Sequence, residues 1–113
     1  MEVLLVSIGG AAGATLRYLV GQLVDGTSFP WATLVVNALG SFVLGAVTVG
    51  VSDADALLIV SVGFCGAFTT FSSFSFQTVS LWDRGEKRTA VLNAVGNLVV
   101  SLVAFAAAWQ LVP

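Results

Sequence analysis

Phe68, Phe71 and Phe74 recur at every third position in the stretch Gly63-Phe64-Cys65-Gly66-Ala67-Phe68-Thr69-Thr70-Phe71-Ser72-Ser73-Phe74, with hydroxyl residues between and after them. Aromatic rings present an electropositive edge, hydroxyls donate hydrogen bonds, and no acidic side chain lies at the same depth of this apolar segment. Such a set suits a small anion that sheds water and needs donors without a strongly trapping cation, which favours conduction over storage. The same stripe also serves plain packing. Asn37, well inside another apolar run, adds two amide donors; it can line a pore or tether two helices. Arg17 sits about two-thirds along the first apolar run. A charge near a bilayer centre costs at least ~2.5–3.5 kcal/mol, so Arg17 either snorkels toward the Asp25 end or serves a water-filled vestibule and an incoming anion.

These residues need elements to hold them, and composition says which. Of 113 residues, 58% are hydrophobic and 9% charged, against ~25% charged in soluble domains. Four apolar stretches, roughly Val3–Val24, Trp31–Val51, Ala56–Ser80 and Thr89–Val112, each approach the ~20 residues that cross a hydrocarbon core of ~30 Å. The expectation is an all-α membrane protein, a single domain of four transmembrane helices in the cell membrane. The joints carry suitable punctuation. Asp25-Gly26-Thr27-Ser28-Phe29-Pro30 offers a helix-ending glycine, capping hydroxyls and a proline for the next first turn, and Ser52-Asp53-Ala54-Asp55 offers acidic residues ahead of a helix N-terminus. The first span holds Arg17 and lacks a basic leader, unlike a removed signal peptide. The Gly, Ser and Thr cluster in the third span weakens a helix at membrane depth, where irregular backbone is tolerated only beside protein, water or an ion.

Several function classes drop out. The chain has no histidine and a formal net charge of −2, so the commonest general base is missing and no basic patch for nucleic acid exists. A single cysteine, Cys65, forms no internal disulfide. With no paired carboxylates at membrane depth, an enzyme is not expected. Gly9 with Gly13, and Ser41 with Gly45, are small-xxx-small pairs that let helix backbones approach closely. Four helices enclose little interior, so a pore is more easily built between copies than within one.

Over nearly its whole length the chain resembles the CrcB or Fluc fluoride channels. The resemblance rests on Gly9-Gly10-Ala11-Ala12-Gly13-Ala14-Thr15-Leu16-Arg17-Tyr18, on Pro30-Trp31-Ala32-Thr33-Leu34-Val35-Val36-Asn37-Ala38-Leu39-Gly40-Ser41-Phe42, and on the Gly63–Phe74 run. It implies a protomer whose third helix is broken at its centre, an antiparallel dual-topology dimer with two fluoride pores along the interface, and a structural sodium ion held by backbone carbonyls, here those of Gly66 and Thr69. It implies an anion pathway of Asn37, Phe71 and Phe74, with Thr70 and Ser72 as flanking hydroxyl donors, Ser101 from the fourth span, and Arg17 as the first-span arginine. Asn97, also counted in the anion pathway as a hydrogen-bond donor, stands where the family often has a tyrosine, Gln77 where it often has a glutamate, and Ala67 where a glycine is usual.

Two rivals share size or span count. A small multidrug-exporter-like transporter needs a carboxylate inside its first span, whereas Glu2 and Asp25 lie at its ends. A non-transporting membrane assembly subunit would satisfy the packing pairs and leave the hydroxyl and aromatic cluster unexplained. Arg84, Lys87 and Arg88 all fall between spans three and four, which places that loop and the Asp25–Pro30 loop in the cytoplasm and both termini outside. That one-sided bias bears on the partner. A homodimer needs dual insertion, which so small a bias permits; a heterodimer with a related, oppositely biased chain is the alternative.

Overall fold

The computed structural model describes residues 1–24 and 29–113. It is helical: α1 Glu2–Leu23, α2 Trp31–Gly50, a composite third span from Ala54 to Asp83, and α6 Lys87–Leu111. All four spans are long and apolar enough to cross a membrane, so the chain is a multi-pass membrane protein. Their outward faces carry exposed leucine and valine, such as Leu92, Leu102 and Val103 on α6, as lipid-facing helices do.

The third span comprises α3 (Ala54–Leu57), a π-helical stretch (Leu58–Cys65), α4 (Gly66–Phe68) and α5 (Phe71–Asp83). Its start is capped by Asp53, whose carboxylate accepts from the Ala56 N–H at 2.9 Å. Halfway along, Thr69 (φ −81°, ψ 162°) and Thr70 (φ −148°, ψ 118°) are extended and interrupt the helix, as the Gly, Ser and Thr cluster predicts. The π-helical stretch is not predicted. At the end of α5, Gly85 takes φ +83°. Its N–H donates to the Trp82 carbonyl at 3.1 Å and that of Glu86 to the Leu81 carbonyl at 2.9 Å, a Schellman closure that only glycine adopts cheaply. Pro30 lies at the N-cap of α2 rather than in its first turn; the helix-ending glycine and capping hydroxyls assigned to 25–28 lie outside the described residues.

The first small-residue pair packs inside the protomer. A Cβ on Gly9 would collide with the Ile59 carbonyl, and one on Gly13 with the Phe64 carbonyl, so α1 lies backbone to backbone on the first half of the third span. Gly63 reciprocates: its Cβ would come within 2.7 Å of the Val6 carbonyl oxygen. Gly13→Ala should therefore destabilise the fold by ~1–3 kcal/mol, the usual cost of overpacking, whereas Gly21→Ala, with nothing within 4 Å, should be neutral; thermal midpoints in detergent compare them. The second pair divides. Gly45 abuts Phe105 and Ala108 of α6, while Ser41 faces a groove.

Candidate functional site: a groove at the helix break

An open groove of about 430 Å³ runs along the break. Of the residues singled out from the sequence, it is lined by Asn37, Gly66, Thr69, Thr70, Phe71, Phe74, Asn97 and Ser101; Ser72 and Arg17 are not among its walls. Ser72 is exposed at the start of α5. Arg17 is exposed on α1 with no ion pair among the described residues, and Asp25, the acid toward which it would reach, lies outside them. The Phe71 and Phe74 rings face each other at 5.8 Å between centroids, tilted by 45°, and Phe71 is 79% exposed.

Asn37 from α2 tethers the break. Asn37 accepts the Thr70 N–H on its Oδ1 at 2.8 Å and donates Nδ2 to the Thr70 carbonyl at 3.2 Å, so its amide pairs with Thr70 as a neighbouring backbone would. The same nitrogen donates to Asn97 Oδ1 at 3.0 Å. Both amide hydrogens of Asn37 are thereby engaged in tethering. Asn97 likewise turns its nitrogen to the main-chain and side-chain oxygens of Asn93, both at 2.9 Å.

The donors left facing the groove are hydroxyls. Ser and Thr in helices commonly donate back to the carbonyl four residues earlier, as Thr69 does to Cys65 at 2.8 Å. Ser41 and Ser101 have no hydrogen-bond partner among the described residues, and the Thr70 oxygen accepts from the Ser73 N–H at 3.0 Å with its own hydrogen free to donate. Ser41, Thr70, Ser101 and the two aromatic rings form a neutral wall, with no carboxylate among the lining residues.

The carbonyls of Gly66 and Thr69 are among those released at the break. The donor a continuous helix would send to Gly66, the Thr70 N–H, goes to Asn37. The donor due to Thr69, the Ser73 N–H, goes to the Thr70 hydroxyl. Both oxygens thus lose their regular helical partners, both residues line the groove, and Gly66 is exposed. Carbonyls of this kind suit a hard cation held without carboxylates, and among the described residues no cluster of His, Cys, Asp or Glu could hold a metal.

The sequence reading misses Ser41, Asn93 and Thr78. Ser41 lies one helical turn after Asn37, and Asn93, Asn97 and Ser101 repeat at four-residue spacing, so the signal was periodicity on a shared face.

A family model described as CrcB-like protein, Camphor Resistance (CrcB), matches residues 4–109. The chain belongs to the CrcB family. It is 51% identical over 108 residues to the fluoride-specific ion channel FluC 2 of Haloarcula marismortui, covering 96% of this chain and 91% of that one. It is 49% identical over 108 residues to FluC 1 of Halobacterium salinarum, with the same coverage of both chains. Against a FluC of Thermus thermophilus it is 47% identical over 106 residues, covering 88% of this chain and 85% of that one. Membership in the CrcB family extends over all four spans, so the groove lies wholly within the matched region.

Proposed function

We propose that this chain is a protomer of a fluoride-selective ion channel that lets cytoplasmic fluoride leave passively and so lowers its toxicity. The observation that carries the reading is the groove itself: uncommitted hydroxyls and the edges of Phe71 and Phe74 at the depth of the break, in a chain about half identical to proteins named fluoride-specific ion channels. Fluoride is small and costly to dehydrate. Closely spaced donors on a narrow path compensate that cost, and larger halides, held further from the same donors, gain less. A neutral wall lets the ion leave again.

A groove open to lipid would leave irregular backbone and polar groups unsatisfied in hydrocarbon. A second copy of the chain, inserted antiparallel, would cover it and turn an open wall into a pore, which supports the dual-topology homodimer over a lone protomer. The released carbonyls of Gly66 and Thr69 would hold a structural sodium ion between the two copies. Bound there, the ion supplies fixed positive charge that does not titrate. Asn37 keeps the Gly66 carbonyl free by taking the Thr70 N–H, and the Thr70 hydroxyl keeps that of Thr69 free by taking the Ser73 N–H.

The rings give a test at the level of the site. Phe71→Ile and Phe74→Ile keep bulk and apolarity but remove the ring edge, worth ~0.5–1.5 kcal/mol in aromatic contacts. Fluoride efflux from proteoliposomes, read with a fluoride electrode, should fall by about tenfold in each variant while expression and dimerisation persist. Unchanged flux in both would reduce the stripe to packing.

A further inference from the structure

All three asparagines of the sequence lie in one hydrogen-bonded chain, and every bond in it runs the same way. The Thr70 N–H donates to Asn37 Oδ1 at 2.8 Å, Asn37 Nδ2 to Asn97 Oδ1 at 3.0 Å, and Asn97 Nδ2 to Asn93 Oδ1 at 2.9 Å. Asn93 Nδ2 then donates to Thr78 Oγ1 at 2.8 Å, and the Thr78 hydroxyl donates to the Phe74 carbonyl at 2.8 Å. The direction is forced. A main-chain N–H can only donate and a carbonyl can only accept, so Thr70 fixes the Asn37 amide, which fixes Asn97, then Asn93, then the Thr78 hydroxyl.

The chain begins at Thr70 and ends at Phe74, so it brackets the first turn of α5, the turn that carries both groove phenylalanines. It makes that bracket by leaving the helix, crossing α2 and descending α6. Asn93 is fully buried at 0% exposure and is one of the two largest side chains so enclosed among the described residues, where an unpaired amide would be expensive. Aligned hydrogen bonds in a medium of low dielectric polarise one another, so a change at one end is felt at the other.

We propose that Asn93 and Thr78 are positioning residues of the ion path: outside the groove themselves, they fix the turn that aims the Phe71 and Phe74 rings and hold the amide that keeps the break open. The role in conduction rests on the channel reading above; the coupling of the chain does not. With asparagine alone labelled with ¹⁵N, the protein gives three side-chain amide signals. Thr78→Val removes the terminal hydroxyl at constant shape and should move all three, including Asn37, which is two amides away from the one that loses its acceptor. Fluoride efflux should fall by about tenfold, the scale of one buried hydrogen bond lost, while Thr78→Ser restores both the signals and the flux to within about twofold. Should the valine variant fail to reconstitute, Thr78→Ala removes the same hydroxyl and is read identically. A signal change confined to Asn93 would overturn the coupling whatever the flux. Three displaced signals with wild-type flux would overturn the positioning role. Wild-type vesicles that release no fluoride would overturn the channel reading and the conduction role with it, while the amide signals still report on the chain.

Discussion

Asn37→Asp is expected to abolish fluoride efflux, to below about one-hundredth of the wild-type rate. The substitution preserves shape and changes what the group can donate and the charge it carries. An aspartate cannot donate to the Thr70 carbonyl or to Asn97 Oδ1, the two bonds made by the Asn37 nitrogen, and each stranded acceptor costs about 1–3 kcal/mol. An ionised carboxylate at this depth adds ~2.5–3.5 kcal/mol and repels an anion in the groove. Every 1.4 kcal/mol is about tenfold, so even partial relief leaves a loss of two orders of magnitude. Equal amounts of monodisperse protein in vesicles make the comparison; wild-type flux would remove Asn37 from the machinery.

Gly66→Leu is expected to eliminate both association and flux while sparing the protomer. A Cβ at Gly66 meets nothing within 4 Å inside the chain, so nothing in one copy objects to the side chain. The residue lines the groove that a second copy would cover, and it carries one of the released carbonyls. Leucine there would project into the partner's space and cover the cation position. The expected product is a folded protein with the melting behaviour of a protomer, monomeric in detergent by light scattering and silent in efflux. A variant that stays dimeric and conducts normally would show that the second copy does not seat on this face. The contrast with Gly13→Ala, where the clash lies within the protomer, separates damage to the fold from damage to the assembly.

The sequence made some of this readable for specific physical reasons. Four spans were legible because a bilayer demands a fixed length of apolar helix, and the observed helices differ from the expected runs by no more than three residues at any end. The break was legible because glycine, serine and threonine at that depth weaken a helix. Most groove residues were named through family resemblance. The division of labour among them was not visible, because it depends on which helices face each other. Asn37 reads from sequence as two free donors; in the fold both are engaged, and the donors presented to the groove fall instead to Ser41, Thr70 and Ser101. Ser41 was assigned to a packing pair by its spacing to Gly45, yet its turn on α2 brings it round beneath Asn37. The π-helical stretch had no signature either. It lies where Gly63 meets Gly9 backbone to backbone, a tertiary contact.

The charge pattern bears on whether one chain is enough. Arg84, Lys87 and Arg88 cluster at the turn joining α5 to α6, where Arg84 pairs with Glu86 at 3.2 Å and Lys87 lies 5.0 Å from the Trp82 ring centre. A bias of so few residues is easily reversed. So small a bias permits insertion in either orientation, as the proposed homodimer requires.

Purified protein made from this chain alone, reconstituted in vesicles loaded with equal fluoride and chloride, tests the channel in one experiment when both anions are followed by electrode after potassium permeability is opened. The expected result is rapid fluoride release with chloride retained, by a margin of at least about a hundredfold, the scale that ~2.8 kcal/mol of difference between the two ions in the groove would give. Well-folded, reconstituted protein that releases no fluoride, or that releases chloride alongside it, would contradict a self-sufficient fluoride channel built on this groove.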